Sequence, residues 1–470
     1  MKGKMTRREF MVSLATVTAG ASIHPLWSKS AYPQNLPNVL IIQPDQHRGT
    51  IMGCAGDQQV ITPNLDQLAA EGIRFTHCAS SSPLCSPFRA SMQTGLYIHK
   101  HGIDKNNILL DPKFKTIAEF FTEKGYATGY IGKWHLDGGI PDPQPGGFIE
   151  PGPRRQGYQE WYGYEKSHEY LKVWKYNENR EQVRVEGYNW EPTWHTDMFL
   201  DFAKRNRDLK KPWMYYLAYG PPHDPEQCLK KYLDLYPPEK FELPPDTRNL
   251  FNGEDEQKLR ILLQIYYGLV SAIDVEIGRV VKGLKGLGLD ENTIILYTSD
   301  HGDKLGSHCT PERLRGKASP YATAFRIPLI IRWSGKIKEN QICNALVSGV
   351  DLAPTILDIA GIAVPPEMQG NSMASWCFNQ KGRSNEAIYM GLGGVSSKNG
   401  WRAVWDGRYV YSPIGFNILY DHKNDPYEMK NLIDSADYKK ERKRLDALML
   451  KLARKTEDPM LPLVEQVCVT

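Results

Sequence analysis

Short apolar runs punctuate the chain at intervals and predict strands over Asn38–Gln43, Tyr126–Gly132, Trp213–Tyr219, Thr293–Ser299 and Ile327–Arg332. Between them lie segments with apolar positions three and four apart. Pro63–Glu71 places Leu65, Leu68 and Ala69 on one helical face and closes at Gly72, and Thr116–Lys124 closes at Gly125. Glu256–Lys285 carries Leu259, Leu262, Tyr266, Leu269, Ile273, Ile277, Val280 and Leu284 near helical spacing, and Leu352–Ile359 predicts a further helix. Strands alternating with amphipathic helices predict an α/β fold, a large and mainly parallel sheet sandwiched by helices. Two regions break the alternation. Residues 136–196 are rich in Pro, Gly, Trp and Tyr and suggest no regular element. Beyond about Pro365 come short strand-like pieces (Ala387–Met390, Arg402–Trp405, Tyr409–Tyr411) and a charged helix from about Tyr438 to Lys455. This second texture predicts a smaller C-terminal α+β domain with a short antiparallel sheet, over 366–470, after a main domain over 35–365.

A chain of 470 residues, 41% hydrophobic and 24% charged, is long enough for one large core and a smaller one. The formal net charge of +4 changes meaning once it is located. Lys2, Lys4, Arg7, Arg8 and Lys29 against Glu9 account for all of it, so the chain from residue 35 onward is neutral. That argues against a basic field for nucleic acid, and any anionic substrate must be held by local cations. The same segment, 1–34, places Arg7-Arg8-x-Phe10 before an apolar run to Ala21 too short to span a bilayer. It reads as a twin-arginine-type export signal, implying the periplasm or beyond and no stable membrane insertion once the signal is removed. No apolar run after the N-terminus is expected to cross a membrane. The eight cysteines form no CxxC pair and no zinc-ligand spacing, and disulfide pairing is not legible.

In open α/β sheets, ligands sit beyond the carboxyl ends of the strands. The strand ends here deliver Asp45-Gln46, Lys133-Trp134-His135, Pro222-His223 and Asp300-His301. Asp45, Gln46, Asp300 and His301 form an oxygen-dominated set suited to a hard cation such as Ca²⁺ or Mg²⁺; two unrelated turn pairs are the alternative. Cys85-Ser86-Pro87-Phe88-Arg89 opens a predicted helix, with Pro87 in the first turn and Gly95 near the end. The helix dipole there favours an anionic group at position 85, and Arg89 lies one turn on. The alternative is a small buried cysteine in a capping turn.

Together these motifs resemble type I sulfatases of the alkaline phosphatase superfamily. The similarity runs from about Pro37 to beyond Asn431. It is carried by Cys85-x-Pro87-x-Arg89 with Thr94-Gly95, Gly132-Lys133-Trp134-His135, Pro222-His223-x-Pro225, Thr298-Ser299-Asp300-His301-Gly302, Leu305-Gly306-x-His308, and Lys317 four before Tyr321. The tail from Leu419-Tyr420-Asp421 to Asn431-Leu432 is similar to that family's C-terminal domain. The resemblance implies that a separate maturation enzyme converts Cys85 to formylglycine, whose hydrate is the nucleophile. It implies that Asp45, Gln46, Asp300 and His301 hold a divalent cation, usually calcium, that Arg89 steadies the hydrate, and that Lys133, His135, His223 and Lys317 surround the sulfate ester. Two positions depart from the pattern: Gln46 replaces a common acidic residue, and Phe88 a common serine.

The aromatics Trp161, Tyr162, Tyr164, Trp174, Trp190 and Trp194, with Arg154 and Arg155 nearby, suggest a sulfated saccharide as substrate; loop packing is their other reading. The rival functions are a phosphonate monoester or phosphodiester hydrolase of the same superfamily, and a sulfated-glycan-binding protein without catalysis.

Overall fold

The structure is a computed structural model and describes residues 36–138, 147–165, 169–177, 179–248, 251–379, 382, 384–395 and 399–468. The export signal expected over 1–34 lies outside them.

The strands of the main sheet are β1 (Asn38–Ile42), β2 (Ile73–Ala79), β3 (Ala127–Lys133), β4 (Glu160–Tyr164), β7 (Trp213–Ala218), β8 (Thr293–Thr298), β9 (Leu329–Trp333) and β10 (Gln341–Ser348); a small hairpin, β5 (Trp174–Tyr176) and β6 (Gln182–Arg184), stands apart. The order across the sheet is β10-β2-β9-β8-β1-β7-β3-β4. All neighbours are parallel except β9, which is antiparallel to both β2 and β8. The α/β expectation of a large, mostly parallel sheet therefore holds. β1 is central, hydrogen-bonded to β7 and β8, and all five of its residues are buried. Burial on both faces is why Val39–Ile42 is an unbroken apolar run.

The pleat sorts β1 between two layers. Val39 and Ile41 join a core with Phe88, Ile117, Phe121 and Leu352, contributed by α2 (Cys85–Thr94), α3 (Ile117–Glu123) and α6 (Leu352–Ile359). Leu40 and Ile42 face Leu65, Phe199 and Ile273, contributed by α1 (Pro63–Ala70), α4 (Glu191–Asp208) and α5 (Gly253–Gly286). One expectation needs qualifying. Part of α5 is long and apolar enough to cross a bilayer, but that stretch is mostly buried within the protein, which accounts for its composition.

The stretch 136–196 is more regular than its composition suggests. Glu160–Tyr164 extends the main sheet as β4, pairing in parallel with β3. Its aromatic residues carry no simple two-residue alternation, because this edge strand packs on both faces: Trp161 stacks with Tyr130, and Tyr162 meets Trp194 edge-on. Helix α4 starts inside the same stretch, at Glu191-Pro192, a proline-initiated start that the surrounding aromatics obscured.

Beyond the main sheet, β11 (Ile388–Gly393), β12 (Gly400–Trp405), β13 (Tyr409–Ile414) and β14 (Ile418–Asp421) form an antiparallel meander. One face packs on α7 (Lys439–Thr456) and α8 (Leu461–Cys468), through Leu419, Leu445 and Val464. The other packs on the main sheet through Trp405, Phe325 and Leu346. The eight cysteines are free thiols.

Candidate active site

The strand ends that carry polar motifs do meet at one edge. Asp45 and Gln46 follow β1, Lys133 ends β3, His223 follows β7, and Asp300 and His301 follow β8. Cys85 opens α2, all ten residues of which are buried. Gly95 closes that helix in the left-handed region (φ 69°), its N–H donating to the Ser91 carbonyl. A Cβ at 95 would come within 2.9 Å of Met368, so glycine is required for both reasons.

The Cys85 Sγ is the focus of the site. His301 Nε2 is 3.2 Å from it, Lys317 Nζ 3.3 Å, Lys133 Nζ 3.5 Å and Asp45 Oδ1 3.9 Å. Lys133 also donates to Asp45 Oδ2. Arg89 donates from Nε and Nη2 to Asp300 Oδ2 at 3.2 and 3.0 Å, from Nη2 to Asp45 Oδ2 at 3.3 Å, and from Nη1 to the Lys133 carbonyl at 2.6 Å. Arg89 thus ties the two carboxylates together rather than reaching Cys85.

This charge pattern sets the protonation states. Burial and the nearby Cys85 push Asp45 up, but Lys133, His223 and Arg89 outweigh them and hold its carboxyl well below the usual carboxylate range. Burial likewise raises the Cys85 thiol, and Lys133, Lys317 and His301 reverse it, so an anion is favoured at position 85. Burial lowers His135 against the opposing pull of Cys85, leaving a neutral imidazole. Its ring Nε2 is 3.2 Å from Asn107 Oδ1, and its carbonyl accepts from Ser86 Oγ at 2.7 Å.

Lys317 Nζ lies 2.7 Å from His223 Nε2 and donates to Gln46 Oε1 at 2.8 Å. His223 Nδ1 is 2.7 Å from the Asp224 carbonyl. With Nδ1 donating there, Nε2 accepts from the ammonium, which couples Lys317 and His223 as one proton-carrying pair.

The residues present fit a hard cation. Donor atoms of Asp45, Cys85, Asp300 and His301 all lie within 4.8 Å of one another. His301 Nε2 is 3.6 Å from Asp45 Oδ1 and 3.7 Å from Asp300 Oδ1, close to the spacing of ligands around one ion. His301 Nδ1 is 2.9 Å from the Gly302 carbonyl, which leaves Nε2 for the centre. Gln46 Nε2 donates to Asp303 Oδ2 at 2.6 Å, which turns Oε1 inward. Asp303 also accepts from Arg315 Nε at 2.6 Å. The sequence reading did not single out Asp303, although its place two residues after His301 was a visible signal. Asn107 was missed as well, and no local pattern marks it.

Beside Lys317 and Gln46 opens a cleft of about 640 Å³, walled by the 224–226 loop, the start of α5 and the 311–317 loop. The aromatics of 136–196 are not in it. Trp190 and Trp194 are buried, and Trp161, Tyr162, Tyr164 and Trp174 line a different cavity.

Residues 37–362 match the family described as Sulfatase, and residues 314–455 match N-sulphoglucosamine sulphohydrolase, C-terminal. The chain belongs to the sulfatase family. It is a type I sulfatase of the alkaline phosphatase superfamily and a sulfuric ester hydrolase. It is 31% identical over 424 residues to an ulvan-active sulfatase of Formosa agariphila, covering 88% of this chain and 80% of that one. It is 29% identical over 457 residues to an endo-4-O-sulfatase of Bacteroides thetaiotaomicron, covering 84% and 88%. Among solved structures it is similar to a protein in complex with its substrate D-glucosamine-2-N,6-O-disulfate, with a TM-score of 0.78, 25% identity, and coverage of 90% of this chain and 99% of that one.

Proposed function

We propose that this sulfatase removes sulfate from a sulfated saccharide, using as nucleophile a formylglycine made from Cys85 by a separate maturation enzyme. The observation that carries this reading is the convergence of Lys133, Lys317, His301 and Asp45 on the Cys85 side chain. The saccharide class rests on the relatives that act on ulvan and on glucosamine disulfate. The export pattern around Arg7-Arg8, joined to a similar protein named as an extracellular sulfatase, supports a reaction in the periplasm or outside the cell.

Asp45, Gln46, Asp300 and His301 would hold Ca²⁺, with Mg²⁺ as the alternative hard cation; the bound ion supplies positive charge against the sulfate oxygens. Formylglycine at position 85 would supply, as its hydrate, two hydroxyls: one to act as nucleophile and one to release sulfate as the aldehyde re-forms. Lys133 and Lys317 face the same point and neutralise charge on the equatorial oxygens. The Lys317–His223 pair stands where the leaving alkoxide departs and gives it a proton. His135, kept neutral by burial, accepts the proton when sulfate is released. Arg89 holds Asp45 and Asp300 in register from beneath.

Two measurements test this on protein made with a maturation enzyme. The tryptic peptide Phe75–Arg89 should carry an aldehyde in place of the thiol. The protein should release free sulfate from at least one of a panel of defined sulfated saccharides, and Lys317→Ala should lower kcat by about 10²–10³-fold, more than it raises KM. Full activity from Cys85→Ala, or faster turnover of a phosphodiester or phosphonate monoester than of every sulfate ester tried, would overturn the reading.

A further inference from the structure

The aromatic segment that does not reach the Cys85 site builds a second cavity. It measures about 390 Å³ and lies between the edge strand β4 and the β5–β6 hairpin. Among the described residues, none with a hydrogen bond to Cys85 lines it. Its walls include Trp161 of β4, Phe148 of the preceding loop, and Trp174 and Tyr176 of the hairpin. Arg155 and Lys175 complete it.

The walls are held in place by packing. The Arg155 guanidinium sits 5.6 Å from the Trp161 ring and 5.7 Å from Phe148, and its Nη2 donates to the Ile149 carbonyl at 2.7 Å. Phe148 meets Tyr176 edge-on at 5.6 Å. The Trp174 indole N–H donates to Glu169 at 2.8 Å, which fixes the plane of its ring. The Trp161 ring lies over Gly163, where a Cβ would come within 2.4 Å of it, so the absence of a side chain there creates the room. At one end, the buried Glu191 accepts from the Tyr164 hydroxyl at 3.2 Å.

This composition selects a ligand class. Flat aromatic faces offer apolar area to a ring with a C–H face, and a half-open aromatic cavity suits one or two ring-sized units. Arg155 and Lys175 add positive charge, which favours a ring bearing sulfate or carboxylate over a neutral one. Glu191 adds a hydroxyl partner at the far end. A ring with hydroxyls and an anionic group is a sugar unit of a sulfated polysaccharide.

We infer that the β4-edge cavity is a second glycan-binding site, which holds a sugar unit of the polymer while another part of the chain occupies the Cys85 site. The inference rests on the saccharide reading above, and it adds a site outside the catalytic centre. Its consequence is a preference for polymer over short substrates, because a second contact on the same chain raises the effective concentration of ester groups at the first.

Binding and turnover test it separately. In a Cys85→Ala background, affinity for ulvan and for chondroitin sulfate is measured by affinity electrophoresis, with dextran as the neutral control. Adding Trp174→Ala should weaken retention by at least tenfold, and Lys175→Gln should weaken it several-fold while leaving the aromatic packing intact. In the catalytically competent protein, either change should lower the ratio of kcat/KM on polymer to kcat/KM on the matching sulfated monosaccharide by at least fivefold. Both variants are checked for parental circular dichroism, and Lys175→Gln alone decides if Trp174→Ala is misfolded. Unchanged retention and an unchanged ratio would overturn the second site and leave the sulfatase reading standing. Absence of sulfate release from every saccharide would instead count against the substrate reading, and the retention measurement would still decide the second site.

Discussion

Asp303 shows how one unremarked residue can govern the charged centre. Its two oxygens accept from Gln46 Nε2, Arg315 Nε and the Gly316 N–H, and it is fully buried. Burial raises its pKa, yet Arg315 and these hydrogen bonds leave its carboxyl below the ordinary range. Gln46 carries no charge, so its proposed role as a ligand depends on which amide atom faces the centre, and Asp303 makes that choice. Asp303→Ala removes the acceptor for Nε2 and leaves Arg315 with only the more distant Glu226 carboxylate, 3.6 Å away, among the described residues. Calcium affinity should fall about 10- to 100-fold, the usual cost of losing a partner that orients a ligand, as read by isothermal titration calorimetry. Affinity within twofold of the parent would show that Gln46 is held some other way. Gln46 itself was readable from sequence as a candidate ligand, whereas its orientation depended on a residue 257 positions away.

Glu191 shows how an element's start can be tuned by burial. It is the first residue of α4, where an acidic side chain complements the helix dipole, but it is buried, and among the described residues its side chain has the Tyr164 hydroxyl at 3.2 Å and His195 at 3.9 Å. Burial pushes it from 4.5 up to about 8, while burial also lowers His195 to about 3, so neither is charged at neutral pH. The sign follows from linkage. The folded protein binds this proton more tightly than the unfolded chain, so stability is full below pH 4.5 and is lost as pH rises through about 8. The total effect is a few kcal/mol at most, by about 1.4 kcal/mol per pH unit of displacement. Glu191→Gln mimics the neutral carboxyl. Its thermal midpoint should match the parent near pH 5 and exceed it at pH 9; equal midpoints at both values would refute the assignment. Periodicity marked the neighbouring helices but not this one, because the Pro192 start is embedded among Trp190, Trp194 and His195, which read as loop aromatics.

A buried ion pair ties the C-terminal sheet to the turn between α7 and α8. Arg402 of β12 donates from Nη2 to Asp458 Oδ1 at 3.0 Å, and its Nε pairs with Oδ2; side-chain exposures are 1% and 0%. Tyr389 of β11 donates to the same carboxylate at 2.8 Å, and His99, from the catalytic part of the chain, lies 3.7 Å away. Asp458→Ala would leave Arg402 charged and buried without its partner. It should cost about 3–5 kcal/mol, measured by urea unfolding, the penalty typical of breaking a buried pair from one side. A change below 1 kcal/mol would mean that water reaches the site and that the apolar cluster of Leu419, Leu445 and Val464 holds the sheet to these helices alone.

Across the molecule, the sequence was most informative where one physical constraint acts locally. A strand buried on both faces must be apolar, so β1, β7 and β8 were visible, and a long helix over a sheet must repeat its apolar positions, so α5 was visible. The candidate centre was legible for a related reason: in a parallel sheet each strand ends at a known edge, so the residues after the strands could be brought together from the sequence alone. Elements whose neighbours set their pattern stayed hidden. β2 reads Ile-Arg-Phe-Thr-His-Cys-Ala because it sits between the antiparallel β9 and the edge strand β10, with half-buried polar side chains. β4 reads as loop because aromatic packing on both faces replaces alternation. The composition of 136–196 announced aromatic faces, but where they point was set by Gly163, by stacking on Tyr130 and by the β5–β6 hairpin, contacts between residues distant in the chain. Local spacing specifies which residues can do chemistry; packing between remote elements specifies which of them meet.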